Sequence, residues 1–155
     1  MMSTSQDARP LLAIASRTAS DEDVRHIFDD LAERTKIEIQ AVGLVPDTVR
    51  AWRAEFGADS ITVNEEPVAL LGSYPENGVR YTWLLGREAF FQPCVVRFSR
   101  RYIVSLRQQY PGVQILSLSR SQHPRTERWF KLLGFRKIHE TMEPNGLIFR
   151  VFEVV

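Results

Sequence analysis

The sequence predicts a mixed α/β domain, and three observations carry that expectation. Helical and strand periodicities alternate along the chain, three consecutive strand-like runs in the middle are joined by tight turns, and the composition supports one hydrophobic core. With 155 residues, 44% of them hydrophobic and nine of them Phe, a single domain (1–155) buries ~70% of its unfolded surface. The one cysteine, Cys94, leaves no internal disulfide and suits a reducing compartment.

Residues 1–10 are polar and expected to be loose. The apolar run 11–15 is followed closely by Arg17 and by Asp21, Glu22 and Asp23. It falls short of the ~7–15 apolar residues of a signal peptide's core and reads as a first strand over 11–16. Ser20 ahead of three acids, with Val24, Ile27, Phe28 and Leu31 at helical spacing, predicts a helix over 21–34. Residues 35–45 are ambiguous. Pro46 opens a further helix that carries Val49, Trp52 and Phe56 and stops at Gly57.

Strands at 61–64, 68–74 and 79–85 then form an antiparallel meander, its turns marked by Asn64-Glu65-Glu66-Pro67 and Pro75-Glu76-Asn77-Gly78. Cys94, Val95, Phe98, Tyr102 and Leu106 recur at three and four residues and predict a long helix over 93–109, with Cys94 in the core. Pro111-Gly112 ends it. A strand at 115–119, a helix at 124–133 closed by Gly134, and strands at 136–141 and 147–155 complete the order. Nothing approaches the roughly 18 apolar residues of a membrane span.

Net charge is +1, yet the halves differ: residues 1–78 hold 7 Lys/Arg against 14 Asp/Glu, and residues 79–155 hold 13 against 5. The basic half either meets an anionic ligand or partner or is attracted to the acidic half within the fold. Nucleic-acid binding has only this charge in its favour. Three scattered histidines, His26, His123 and His139, offer no metal-ligand spacing, so no metal is expected. Tyr81 and Trp83 share one strand face, available for stacking or for the core.

Arg128-Trp129-Phe130-Lys131-Leu132-Leu133-Gly134-Phe135 resembles the closing signature of the GNAT superfamily of acetyl-coenzyme A-dependent N-acetyltransferases. The element order over about 60–155 resembles it too. The resemblance implies a twisted, splayed, mostly antiparallel sheet with helices on both faces. The long basic helix, Tyr110-Pro111-Gly112 and the elements after it look closest to the GNAT-like internal virion proteins of short-tailed bacteriophages. This implies phage structural or assembly proteins as partners, allows a homo-oligomer, and places the protein in a bacterial host's cytoplasm or in the virion.

Carried over residue by residue, the resemblance tests the chemistry. The family's pyrophosphate loop, Arg/Gln-x-x-Gly-x-Gly/Ala, falls on Gln92-Pro93-Cys94-Val95-Val96-Arg97, with Val95 and Arg97 at the glycine positions. A valine hinders backbone approach to phosphates and Pro93 lacks an N–H, so Arg97, Arg100 or Arg101 would have to bind phosphate by side chain. Leu85, Gln92, Val95, Arg97, Arg100 and Phe130 are the cofactor-binding candidates if the cleft works. The family's acid tyrosine corresponds to Phe130, which has no proton to give. His123, a hydrogen-bond donor or a plain loop residue, and Glu88, a base or a helix cap, are the catalytic candidates. Two functions follow: a non-catalytic GNAT-like phage protein acting by protein contacts, or a working N-acetyltransferase using acetyl-CoA on an amine of a host protein or small molecule.

Overall fold

A computed structural model of the protein describes residues 12–155, so the segment 1–10 and Leu11 lie outside the described residues. Its elements in chain order are β1 (Ile14–Thr18), α1 (Asp21–Asp29), α2 (Glu33–Val42), α3 (Pro46–Phe56), β2 (Ala58–Val63), β3 (Glu66–Glu76) and β4 (Val79–Gly86). A 3-10 turn, Glu88–Phe91, precedes α4 (Pro93–Gln109), β5 (Ile115–Ser119), α5 (Thr126–Leu133), β6 (Phe135–Met142) and β7 (Ile148–Val154). Seven strands form one sheet in the order β1-β2-β3-β4-β5-β7-β6. Every neighbouring pair is antiparallel except β4 and β5, which run parallel around the α4 crossover.

The pleat sends successive side chains to opposite faces, and β3 shows it clearly. Leu70 joins Val24, Ile27, Val49 and Leu85 under α1 and α3. Leu71 joins Val95, Ile103, Trp129 and Phe152 under α4 and α5. The sheet thus carries a core on each side. No helix among the described residues is long and apolar enough to cross a membrane.

The predicted helix 21–34 is two helices. Ser20 and Asp23 form the capping box expected at its start, but α1 stops at Asp29. Leu31 and Ala32 are buried, and the Ala32 N–H donates to the carbonyl of Gly86 at 2.9 Å. A long-range hydrogen bond at the tip of β4 breaks a helix that periodicity alone continues. The ambiguous residues 35–45 hold most of α2, closed by Gly43 at φ 69°.

Cys94 is a second correction: it is exposed, not in the core. The buried line of α4 is Val95, Val96, Ser99, Ile103 and Leu106. Ser99 hides that line from a hydrophobicity pattern, and it is satisfied by donating its hydroxyl to the Val95 carbonyl at 2.9 Å.

The sheet opens where β4 meets β5. Pairing between them covers only Arg80 with Ile115, Tyr81 with Leu116 and Thr82 with Ser117. Beyond Thr82, β4 stays bonded to β3 as far as Gly86 opposite Ala69, while β5 stays bonded to β7 through Ser119. The two strands therefore part, and the β4 edge from Trp83 to Leu85 has no strand neighbour on that side. Trp83 is held at this opening by packing on Gly72, its cross-strand partner. A Cβ at Gly72 would sit 2.1 Å from the indole ring. Gly72→Ala is expected to destabilise the fold by about 1–3 kcal/mol in urea unfolding; an unchanged midpoint would show that the indole moves aside without cost.

Candidate active site

The opening between β4 and β5 is filled by a cavity of about 470 Å³, within the range of small-molecule sites. It is lined from both faces of the sheet. Leu84, Phe91, Trp129, Phe130 and Leu133 border it on the α4–α5 side, and Ile39, Leu44, Trp52, Tyr81 and Trp83 on the α1–α3 side. The walls are mostly apolar, so the few polar groups stand out.

Glu38, from α2, reaches across the opening to the end of β5. Its Oε1 accepts the Ser119 hydroxyl at 2.9 Å and the Arg120 N–H at 2.6 Å. Burial raises the carboxyl above the usual carboxylate range, only partly offset by hydrogen bonds from Arg120, Ser119 and Ser121 and by the Arg120 charge. The Arg120 guanidinium itself pairs with Glu143 at 2.8 Å. Hydroxyls carry the order onward: Ser121 N–H donates to Ser119 Oγ at 3.2 Å, and Ser121 Oγ lies 2.7 Å from Thr126 Oγ1 at the start of α5. Loop, strand end and helix start are tied together beside the cavity.

At the wide end of the opening Arg34 lies between two rings, its guanidinium carbon 4.1 Å from the centroids of both Phe91 and Trp129. Such stacking favours a cation held out of bulk water. One nitrogen pairs with Glu88 at 2.7 Å. The other, Nη1, is buried without a hydrogen-bond partner among the described residues, and an orphan of this kind calls for an explanation.

The two catalytic candidates of the sequence meet around this stack. Glu88 is exposed in the 3-10 turn and holds Arg34. His123 leans on Trp129 with ring centroids 4.7 Å apart, and its Nδ1 accepts the Arg125 N–H at 3.1 Å. Lost hydration, then the charges of Arg34 and Arg125, lower its pKa, with Glu88 opposing them.

The cofactor candidates separate. Leu85 and Phe130 line the cavity. Phe130 stacks on Phe152 at 3.9 Å, nearly parallel, and meets Phe135 edge-on. Val95 is wholly buried, and its N–H donates to the Gln92 carbonyl at 3.0 Å. Gln92 is exposed and caps α4 through its backbone alone. Arg97 and Arg100 are exposed and outside the lining, with Arg100 running beside Gly134. In place of a glycine loop stands the 3-10 turn with Phe90 in the core. Arg34 and Glu38, the polar groups that matter most here, were not among the sequence candidates. Arg34 fell at the end of the supposed first helix and Glu38 within the ambiguous segment. Among the described residues no three His, Cys, Asp or Glu side chains come together as metal ligands.

No family model and no curated protein matches this chain. Solved structures do match in three dimensions. The ribosomal-protein-S18-alanine N-acetyltransferase from Escherichia coli superimposes with a TM-score of 0.66 at 9% identity, over 91% of this chain and 92% of its own. The aminoglycoside acetyltransferase AAC(6')-Ib in complex with coenzyme A gives 0.61 at 17% identity, over 90% and 94%. The yncA protein from Salmonella typhimurium with its cofactor acetyl-CoA gives 0.67 at 13%, over 92% and 93%. At such identities the likeness is one of architecture: the chain has the GNAT acetyltransferase fold.

Proposed function

We propose that the protein is an N-acetyltransferase that takes acetyl-CoA from the α4–α5 side of the sheet and an acceptor amine from the α1–α3 side. The observation that carries this reading is the single cavity bordered by both faces through the opening between β4 and β5. A transfer between two ligands needs them to meet end to end with water kept out, and an apolar passage through a sheet provides that. The similar structures that hold acetyl-CoA or coenzyme A support the choice of cofactor.

Acetyl-CoA would supply an acetyl group activated as a thioester. The unpaired β4 edge, Trp83 to Leu85, offers backbone groups to an extended arm in the manner of an added strand. Glycine-loop N–H groups are missing, and the Val95 N–H is already spent on Gln92. The unpartnered Nη1 of Arg34 is the group placed to hold an anion instead. Glu38, lining the cavity with a carboxyl raised above the ordinary range, accepts the proton of the incoming ammonium, as a base closer to neutrality does best. Phe130 donates nothing, so the departing thiolate takes its proton from solvent.

A second reading keeps the fold without the chemistry: a non-catalytic protein acting through contacts, as the resemblance to internal virion proteins implied. The aromatic 3-10 turn in place of the glycine loop and Phe130 at the acid position favour it. The similar structures reported above are not virion proteins.

Calorimetric titration with acetyl-CoA is expected to give micromolar affinity that survives moderate salt, and Arg34→Ala is expected to weaken it by about tenfold, roughly 1.4 kcal/mol. No binding by the unaltered protein would favour the second reading. Glu38→Gln is expected to leave that affinity unchanged and lower kcat by at least about a hundredfold; an unaltered kcat would remove Glu38 from the proton transfer.

A further inference from the structure

The α1–α3 side of the cavity has a chemistry of its own. Trp52, Tyr74, Tyr81 and Trp83 form a connected aromatic wall: Trp52 stacks on Tyr74 at 4.9 Å, Tyr74 on Tyr81 at 5.8 Å, and Trp52 tilts against Trp83 at 5.8 Å. The four side chains come from α3, β3 and β4, so the sheet and a helix fix the wall together. Ile39 and Leu44 add aliphatic surface.

The charges around this wall are unevenly compensated. Arg120 is paired with Glu143 and Arg34 through one nitrogen with Glu88, and the remaining Arg34 nitrogen, Nη1, stacked between Phe91 and Trp129, is the one assigned above to the cofactor's anion. Glu38 has no ion-pair partner among the described residues. Its Oε1 is fixed by the Ser119 hydroxyl and the Arg120 main-chain N–H, with the Ser121 main chain also stabilising the carboxylate. Glu38 is half-buried and lines the cavity beside the rings. A lone carboxylate beside electron-rich ring faces attracts a cation and repels an anion.

We infer that the acceptor is a small primary amine carried on an aromatic or bulky apolar body, its ammonium at Glu38 and its ring against Trp52, Tyr74 and Tyr81. This rests on the transferase reading for its chemistry and on the wall and carboxylate for its selectivity. A polyamine has no apolar body to cover the aromatic wall and would leave it in water, and a carboxylic acid of the same shape would place charge against like charge.

The test is binding in the absence of acetyl-CoA, followed by calorimetry and by the fluorescence of the wall tryptophans. Phenethylamine, 3-phenylpropionate and spermidine are the probes. Phenethylamine is expected to bind at least tenfold more tightly than either of the others. Glu38→Gln, whose amide oxygen still accepts from Ser119 and Arg120, is expected to erase the preference for amine over acid while keeping the melting temperature. Trp52→Ala is expected to weaken phenethylamine several-fold, with Trp52→Phe restoring most of it. Spermidine binding as tightly as phenethylamine, or Glu38→Gln leaving the preference intact, would overturn the inference. Acetyl transfer to spermidine and not to phenethylamine would overturn it too while leaving the transferase standing. Selective phenethylamine binding without any transfer would support this acceptor site and remove the transferase reading.

Discussion

β4 and β5 are bonded to each other over three residue pairs and then diverge, and the rest of the molecule is arranged around that short contact. Parallel strands of a closed sheet would leave no path between its faces. Here each strand keeps its outer neighbour, β3 on one side and β7 on the other, so the opening costs only the hydrogen bonds between β4 and β5. Their unpaired backbone groups face a cavity and not a dry core, which is what makes the break tolerable. Arg34 and Glu38 from α2 both cross it, one to the α5 side and one to the end of β5.

That arrangement also answers the charge asymmetry. Acidic and basic halves do attract within the fold: Arg87 pairs with Asp30 at 2.7 Å and approaches Glu66, and Glu38 takes the main-chain N–H of Arg120. The arginines of α4 are not consumed in this way. Arg97, Arg100, Arg101 and Arg107 form no ion pair among the described residues, nor do Arg125, Arg128 and Lys131, so the basic character of the second half is expressed on the outward faces of α4 and α5.

Most of the fold from residue 58 onward was legible in the sequence. Alternating strands, Asn-Gly and Pro-Gly turns, and the Gly134 cap at φ 103° are local signals for local structure. The break between α1 and α2 was not, because Leu31 continues the helical spacing and the interruption is made by Gly86, over fifty residues away. The line of α4 was misplaced by one residue because its centre is a serine. Of the residues named from the sequence, Leu85 and Phe130 line the cavity and Glu88 and His123 gather at its Arg34–Trp129 edge, whereas Arg34 and Glu38 themselves were not named. Glu38 and Arg34 acquire their character from burial, from rings contributed by other elements and from partners on β5 and the 3-10 turn, none of which a local pattern records.

Trp83 lies over Gly72 because position 72 has no side chain. The two positions are therefore not free to drift separately. A descendant that gains any side chain at 72 must shrink the residue at 83, and one that keeps the indole must keep the glycine. Across a set of relatives this would appear as paired exchange, small-with-large against larger-with-smaller. The aromatic wall on the α1–α3 side would be kept or lost as a unit.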